Sequence, residues 1–159
     1  MRLNRARRRA AFVVVTEVLL AAVLVACSSP AGQPASTAGF AGYKWAVVSI
    51  SHGGKTTPVP GEYSVYLQFT PDGHFGANEP VNYHSGNYQV TRGGFTTSDL
   101  GQTLVGYAGR DPVVLLSVSA ISAFDNEVRA LANVNGSTLT VTVGSYTLTA
   151  QRGGRQANF

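Results

Sequence analysis

A single cysteine, Cys27, stands in 159 residues, so no disulfide can form within the chain. Charge is scarce as well, at 13% of residues, and the formal excess of +4 is concentrated in Arg2, Arg5, Arg7, Arg8 and Arg9. Setting those five aside from the twelve basic residues, and Glu17 from the eight acidic ones, leaves seven of each sign in the rest of the chain. A balanced domain has no basic face with which to displace counterions from nucleic acid. It also lacks the polybasic cluster that draws a protein to anionic lipid. Long apolar runs are missing: after Glu17 the clean stretch covers residues 18–26 only, against the roughly 20 residues a membrane span needs. There is no internal repeat, and no G-x-S-x-G elbow to raise a nucleophilic serine.

What is present begins with a leader. The arginines form a charged n-region, and residues 10–26 form an apolar h-region in which only Thr16 and Glu17 are polar. Glu17 would sit unpaired inside a permanent span, which is an expensive place for a carboxylate. A short signal core fits better than a transmembrane helix with an inert cysteine at its end. The segment closes on Leu24, Val25, Ala26 and Cys27, which resembles the bacterial lipobox. That resemblance implies cleavage before Cys27, a diacylglyceryl thioether on its sulfur, and a chain held by acyl groups on the extracytoplasmic face of a cell membrane. Each buried methylene contributes about 0.8 kcal/mol, so two or three acyl chains anchor a small domain firmly.

From Ser28 to Gly39 the chain reads SSPAGQPASTAG, a flexible tether. At about 3.3 Å per residue it spans up to about 40 Å. The expected organisation is a signal peptide at 1–26, a lipid-anchored linker at 27–42, one domain at 43–152 and a disordered tail at 153–159, with fraying from Gln151 onward.

Within the domain, residues 43–50 mix aromatic and β-branched types and read as a strand. Residues 65–69, the turn residues Pro71, Asp72 and Gly73, and then Phe75 read as a hairpin. Residues 87–91 read as another strand, turning through Arg92, Gly93 and Gly94 into Phe95. Asp111 before Pro112 is an N-cap followed by proline at the first helical position. The run 113–124 that follows has Val114, Leu115, Val118, Ile121 and Phe124 on one expected face. Alternation resumes over 128–134 and 139–143, separated by Asn135 and Gly136, and again after Gly144 and Ser145. The last third therefore reads as an antiparallel meander.

Two stretches carry a family resemblance: Asp72-Gly73-His74-Phe75-Gly76, and Val81-Asn82-Tyr83-His84-Ser85-Gly86-Asn87-Tyr88. They resemble the signature of the META domain, the family of HslJ-like lipoproteins. The Trp45 strand and the closing hairpins are similar to the family's first and last strands. The resemblance implies a β-rich α+β fold, an antiparallel sheet wrapped as a partial barrel around one α-helix. Its members are mostly of unknown biochemical function and are associated with stress tolerance and envelope upkeep. Val81 stands where the family often has cysteine, and Glu79-Pro80 lengthens the loop.

Asp72, His74, Glu79 and His84 are metal-ligand types, but their spacing matches no compact site. Ser85 beside His84 invites a hydrolase reading; successive strand residues point to opposite faces, so His84 cannot serve Ser85. The residues Asn82, Tyr83, Ser85, Gly86 and Tyr88 have an economical structural reading as a tight turn, with Gly86 at positive φ and the tyrosines packed. The alternative is a ligand-contacting cluster, with the seven tyrosines lining a concave face. Asn135-Gly136-Ser137 matches a glycosylation sequon and is better read as a hairpin turn. The sequence therefore points to a monomeric, lipid-anchored, non-catalytic domain without cofactor or metal. It binds an envelope or protein partner, in stress tolerance. A carrier of a lipid or small apolar ligand is the alternative, and would require a cavity beside Val114, Leu115, Val118 and Ile121; a hydrolase comes third.

Overall fold

The structure, a computed structural model, describes residues 39–155. Cys27, the leader, most of the tether and residues 156–159 lie outside that range. Nine strands and one helix follow in the order β1 (Tyr43–His52), β2 (Lys55–Pro58), β3 (Tyr66–Phe69), β4 (His74–Asn78), β5 (Tyr83–Thr91), β6 (Gly94–Gln102), α1 (Pro112–Ile121), β7 (Arg129–Asn135), β8 (Thr138–Val143) and β9 (Tyr146–Arg155). All pairings are antiparallel, in the order β2-β1-β3-β4-β5-β6-β7-β8-β9, and β9 returns to pair with β1. The sheet is thus a closed eight-stranded barrel, with β2 folded back on the second half of β1.

The partial barrel implied by the resemblance is corrected by this closure. Its cause lies in the two long strands: β1 and β9 meet from Tyr43 opposite Arg155 to His52 opposite Tyr146. Fraying from Gln151 is corrected for the same reason. The Arg152 guanidinium lies 4.5 Å from the Tyr43 ring centre and 5.1 Å from that of Trp45, so cation–π contacts carry β9 past Ala150. The linker, too, ends earlier than residue 42. Phe40 is buried, and its carbonyl accepts a 2.9 Å bond from Trp45 Nε1.

Turn chemistry fixes the hairpins. Gly73, Gly136 and Gly144 all take positive φ, which only glycine adopts without steric cost. In the β7–β8 hairpin Asn135 pairs with Thr138, so the loop residues are Gly136 and Ser137 rather than Asn135 and Gly136.

The barrel is filled by phenylalanine more than by the helix. Phe40, Phe69, Phe75, Phe95 and Phe124 are all at most 4% exposed. Their ring centres lie 4.7 Å apart for Phe40 and Phe69, 5.0 Å for Phe69 and Phe95, and 5.4 Å for Phe75 and Phe124. Helix α1 starts at Asp111, whose carboxylate accepts from the amides of Val113 and Val114, and it ends three residues before the expected Phe124. It buries Val114, Ser117, Ala120 and Ile121, while Leu115 is 46% exposed. The expected face is wrong at Leu115 because the helix is apolar almost all round, and such a pattern does not choose a side.

Candidate functional site

The expected tight turn at residues 82–88 is a strand. β5 begins at Tyr83 and pairs with β4 on one side and with β6 on the other, so its successive side chains point to opposite faces. His84 turns inward and is buried, while Ser85 turns outward and is exposed. The outward series Tyr83, Ser85 and Asn87 meets an unusual row of neighbours. Ser85 is opposite Gly76 on β4 and opposite Gly101 on β6. On the β6 flank Gly101 offers no side chain, while on the β4 flank the Tyr83 ring covers Gly76. Between them the outer wall sinks into a trough of about 480 Å³ lined by His74, Phe75, Tyr83, Ser85, Gly86, Asn87, Asp99 and Gly101.

Each boundary has a local cause. At one end the Tyr83 ring reaches over Gly76: a Cβ on Gly76 would lie 2.6 Å from Tyr83 Oη. Only glycine lets that phenol lie down, and burial raises its pKa above the ordinary value. At the other end β6 slips register between the partners of Ser85 and Asn87, a β-bulge. There Asp99 takes φ 53°, a left-handed conformation costing of order 1–3 kcal/mol in a residue other than glycine. The bulge sets Asp99 Oδ2 to accept from Asn87 Nδ2 at 3.0 Å and from Ser98 Oγ at 3.2 Å.

Gly86 does not take the positive φ expected of it. Its requirement is close approach, since a Cβ there would lie 2.6 Å from the Ser98 carbonyl oxygen and 2.9 Å from that of Asp99.

The other motif residues serve elsewhere. Asn82 Oδ1 accepts from Val105 N at 2.8 Å and Thr103 Oγ1 at 3.1 Å, and its amide donates to Val105 O at 3.2 Å. That clamp holds residues 103–105 so that Leu104 stands 87% exposed. Tyr88 points into the barrel, 5.2 Å from Phe69 between ring centres, and donates to Thr70 O at 2.7 Å.

Asp72, His74, Glu79 and His84 form two separate pairs, each at 3.9 Å: exposed His74 with Asp72, and buried His84 with Glu79. In the second pair His84 Nε2 and Glu79 Oε1 are enclosed without a hydrogen-bond partner, while Glu79 Oε2 accepts from Val81 N at 2.7 Å. Burial lowers the His84 pKa, and the Glu79 charge opposes this without overcoming it. Among the described residues, no group of three or more His, Cys, Asp or Glu side chains is placed to hold a metal ion.

Sequence reasoning named Tyr83, Ser85 and Gly86 but missed Asn87, Asp99 and Gly101 as members of the site, and Gly76 as the residue beneath the Tyr83 ring, and met His74 only as a metal-ligand type. The alternation of β5 was a usable signal for Asn87. Nothing local flags Gly101, whose role comes from pairing across the sheet.

Two further hollows are smaller or lie apart from the motif. One of about 230 Å³ is lined by His84, Leu100, Gln102, Ser122 and Asp125 among others, and one of about 600 Å³ lies beside Phe40, Arg92 and Val134. None of the three hollows is lined by Val114, Leu115, Val118 or Ile121.

The fold has solved counterparts. An NMR structure of a protein from Burkholderia xenovorans is similar with TM-score 0.56 at 17% identity, over 73% of this chain and 85% of that one. A second NMR structure is similar with TM-score 0.53 at 19% identity, over 69% and 88%. At those identities the likeness is one of fold. No curated protein matches the chain. The family model for the META domain matches residues 38–154, which spans the whole barrel and its motif strand, and the chain belongs to the META domain family.

Proposed function

We propose that this chain is a non-catalytic binding domain, carried on the extracytoplasmic face of a membrane by lipid on Cys27, which takes an envelope component in the β4-β5-β6 trough. The single observation that supports this most is the pairing of exposed Ser85 with Gly101, which carries no side chain to cover it. It opens an accessible hollow at the family motif, where a structural motif alone needs none. A hydrolase has less support, because the histidine adjacent to Ser85 is buried on the opposite face. A carrier of apolar ligand has less support too, since phenylalanines occupy the barrel interior and Leu115 faces solvent. A role in stress tolerance of the HslJ-like kind fits a domain stationed at the envelope.

Two measurements test the reading. Fractionation of the producing cells is expected to place the full chain with membranes, and Cys27→Ser is expected to release it. Co-sedimentation of the full chain with isolated envelope material from its host is expected to be saturable and to fall at least tenfold in Gly101→Leu, which fills the trough. Membrane association unchanged by Cys27→Ser contradicts the anchor, and envelope binding indifferent to Gly101→Leu contradicts the site.

A further inference from the structure

The trough has a chemistry of its own, and the inference below deepens the proposed binding role and rests on it. Its lining contains no lysine or arginine, so a phosphate or carboxylate ligand finds no counter-charge there. It lies on the face of strands rather than at an edge. β4 is paired with β3 and β5, and β5 with β4 and β6. An extended peptide would need unpaired backbone to join the sheet. β4 and β5 offer none, and β6, which pairs with β7 only from Gly94 to Thr96, offers it along its far edge rather than on the trough face. An acyl chain would require an enclosed apolar tunnel, whereas this hollow is open to solvent and, although much of its lining is apolar, carries the hydroxyl, amide and carboxylate of Ser85, Asn87 and Asp99.

What remains is a neutral ligand rich in hydroxyls that has one apolar face. We propose that the trough binds a neutral saccharide, with the C–H face of a sugar ring laid on the Tyr83 ring and its hydroxyls bonded to Ser85, Asn87 and Asp99. Three features match that ligand. The phenol of Tyr83 lies over Gly76, is half-buried and lines the trough, which puts an aromatic ring at its β4 end. The Asn87 amide is fixed by its 3.0 Å bond to Asp99 Oδ2, so donor and acceptor are oriented before any ligand arrives. The bulge that holds Asp99 at φ 53° is a strained feature whose visible product is that oriented pair. Along β5, Tyr83 and Asn87 are separated by about 13 Å at roughly 3.3 Å per residue, enough for a short run of sugar units lying along that strand.

The test uses the full chain in detergent and neutral oligomers of glucose, mannose and N-acetylglucosamine, with binding read by saturation-transfer NMR and titration calorimetry. At least one oligomer is expected to bind saturably, and Tyr83→Ala and Gly101→Leu are each expected to weaken it at least tenfold. A Cβ on Gly101 meets no atom within 4 Å, so a side chain there starts into open space even where Tyr83→Ala fails to fold. Gly101 also borders the 230 Å³ hollow, so Ser85→Leu is the companion variant, and a loss in Gly101→Leu that Ser85→Leu does not share overturns the trough in favour of that hollow. If no oligomer binds while envelope co-sedimentation persists and still depends on Gly101, the saccharide is wrong and the binding role survives. Oligomer binding that ignores all three variants overturns the trough as its site, and release of shortened oligomers overturns a receptor in favour of a hydrolase.

Discussion

Replacing Gly86 by alanine places a methyl group 2.6 Å from the Ser98 carbonyl oxygen, 2.9 Å from that of Asp99 and 2.8 Å from a Leu100 methyl. Two of those three atoms are backbone, locked in the bulge of β6 by its pairing with β5. The obstruction cannot be relieved by turning a side chain, so the bulge must shift. Overpacking of this kind costs about 1–3 kcal/mol, and the intrinsic gain of alanine over glycine in a strand returns about 0.5–1 kcal/mol. The net expectation is a loss of up to about 2.5 kcal/mol, with a central value of about 1 kcal/mol or roughly 4 °C in Tm for a domain of this size. Gly101→Ala is the matched control, because its methyl group meets nothing within 4 Å, and with only the intrinsic term acting its stability is expected to rise by about 0.5–1 kcal/mol. Thermal and urea unfolding followed by circular dichroism reads both. Equal stability of the two variants would refute the claim that close approach, rather than backbone conformation, demands glycine at position 86.

Other expectations follow from the same geometry. Phe95→Ala, in the centre of the phenylalanine cluster with its parent ring fully buried, is expected to cost about 3–5 kcal/mol in urea unfolding; a loss under 1 kcal/mol would mean that the cluster is not the core. His84 has a pKa lowered by burial, so below about 6.5 the unfolded chain takes up a proton that the folded chain resists. Its contribution is therefore complete above pH 6.5 and is lost as pH falls from there toward the lowered folded value. His84→Gln is expected to flatten the dependence of unfolding free energy on pH between 7 and 5, and an unchanged slope would assign it to other groups. Asp99→Gly relieves the left-handed strain but removes the Asn87 partner. It is expected to weaken oligosaccharide binding while leaving the melting temperature near the parent's, and a variant that binds as well as the parent would remove Asp99 from the site.

The turns and the C-terminal meander were legible because glycine at Gly73, Gly136 and Gly144 marks backbone conformations that other residues resist. The N-cap at Asp111 was legible for an equally local reason. Barrel closure was not, because it depends on Tyr43 meeting Arg155 across most of the chain, a pairing no window of sequence contains. The motif was found but misassigned. Asn82, Ser85 and Gly86 are turn-formers by composition, yet the alternation of β5 separates their roles into a loop clamp, a trough floor and a close backbone crossing. The trough itself was hidden because cross-strand register alone sets Gly101 beside Ser85 and Gly76 beneath the Tyr83 ring.

Amide chemical-shift mapping of the full chain, titrated with whichever neutral oligosaccharide binds, tests the central claim most directly. The expected result is a contiguous set of shifts at Gly76, Ser85, Gly86, Asn87, Asp99 and Gly101, with the Phe40 and Val134 region unmoved. Shifts confined to the hollow beside Phe40, Arg92 and Val134, or to the exposed segment around Leu104, would contradict the assignment of the trough as the binding site.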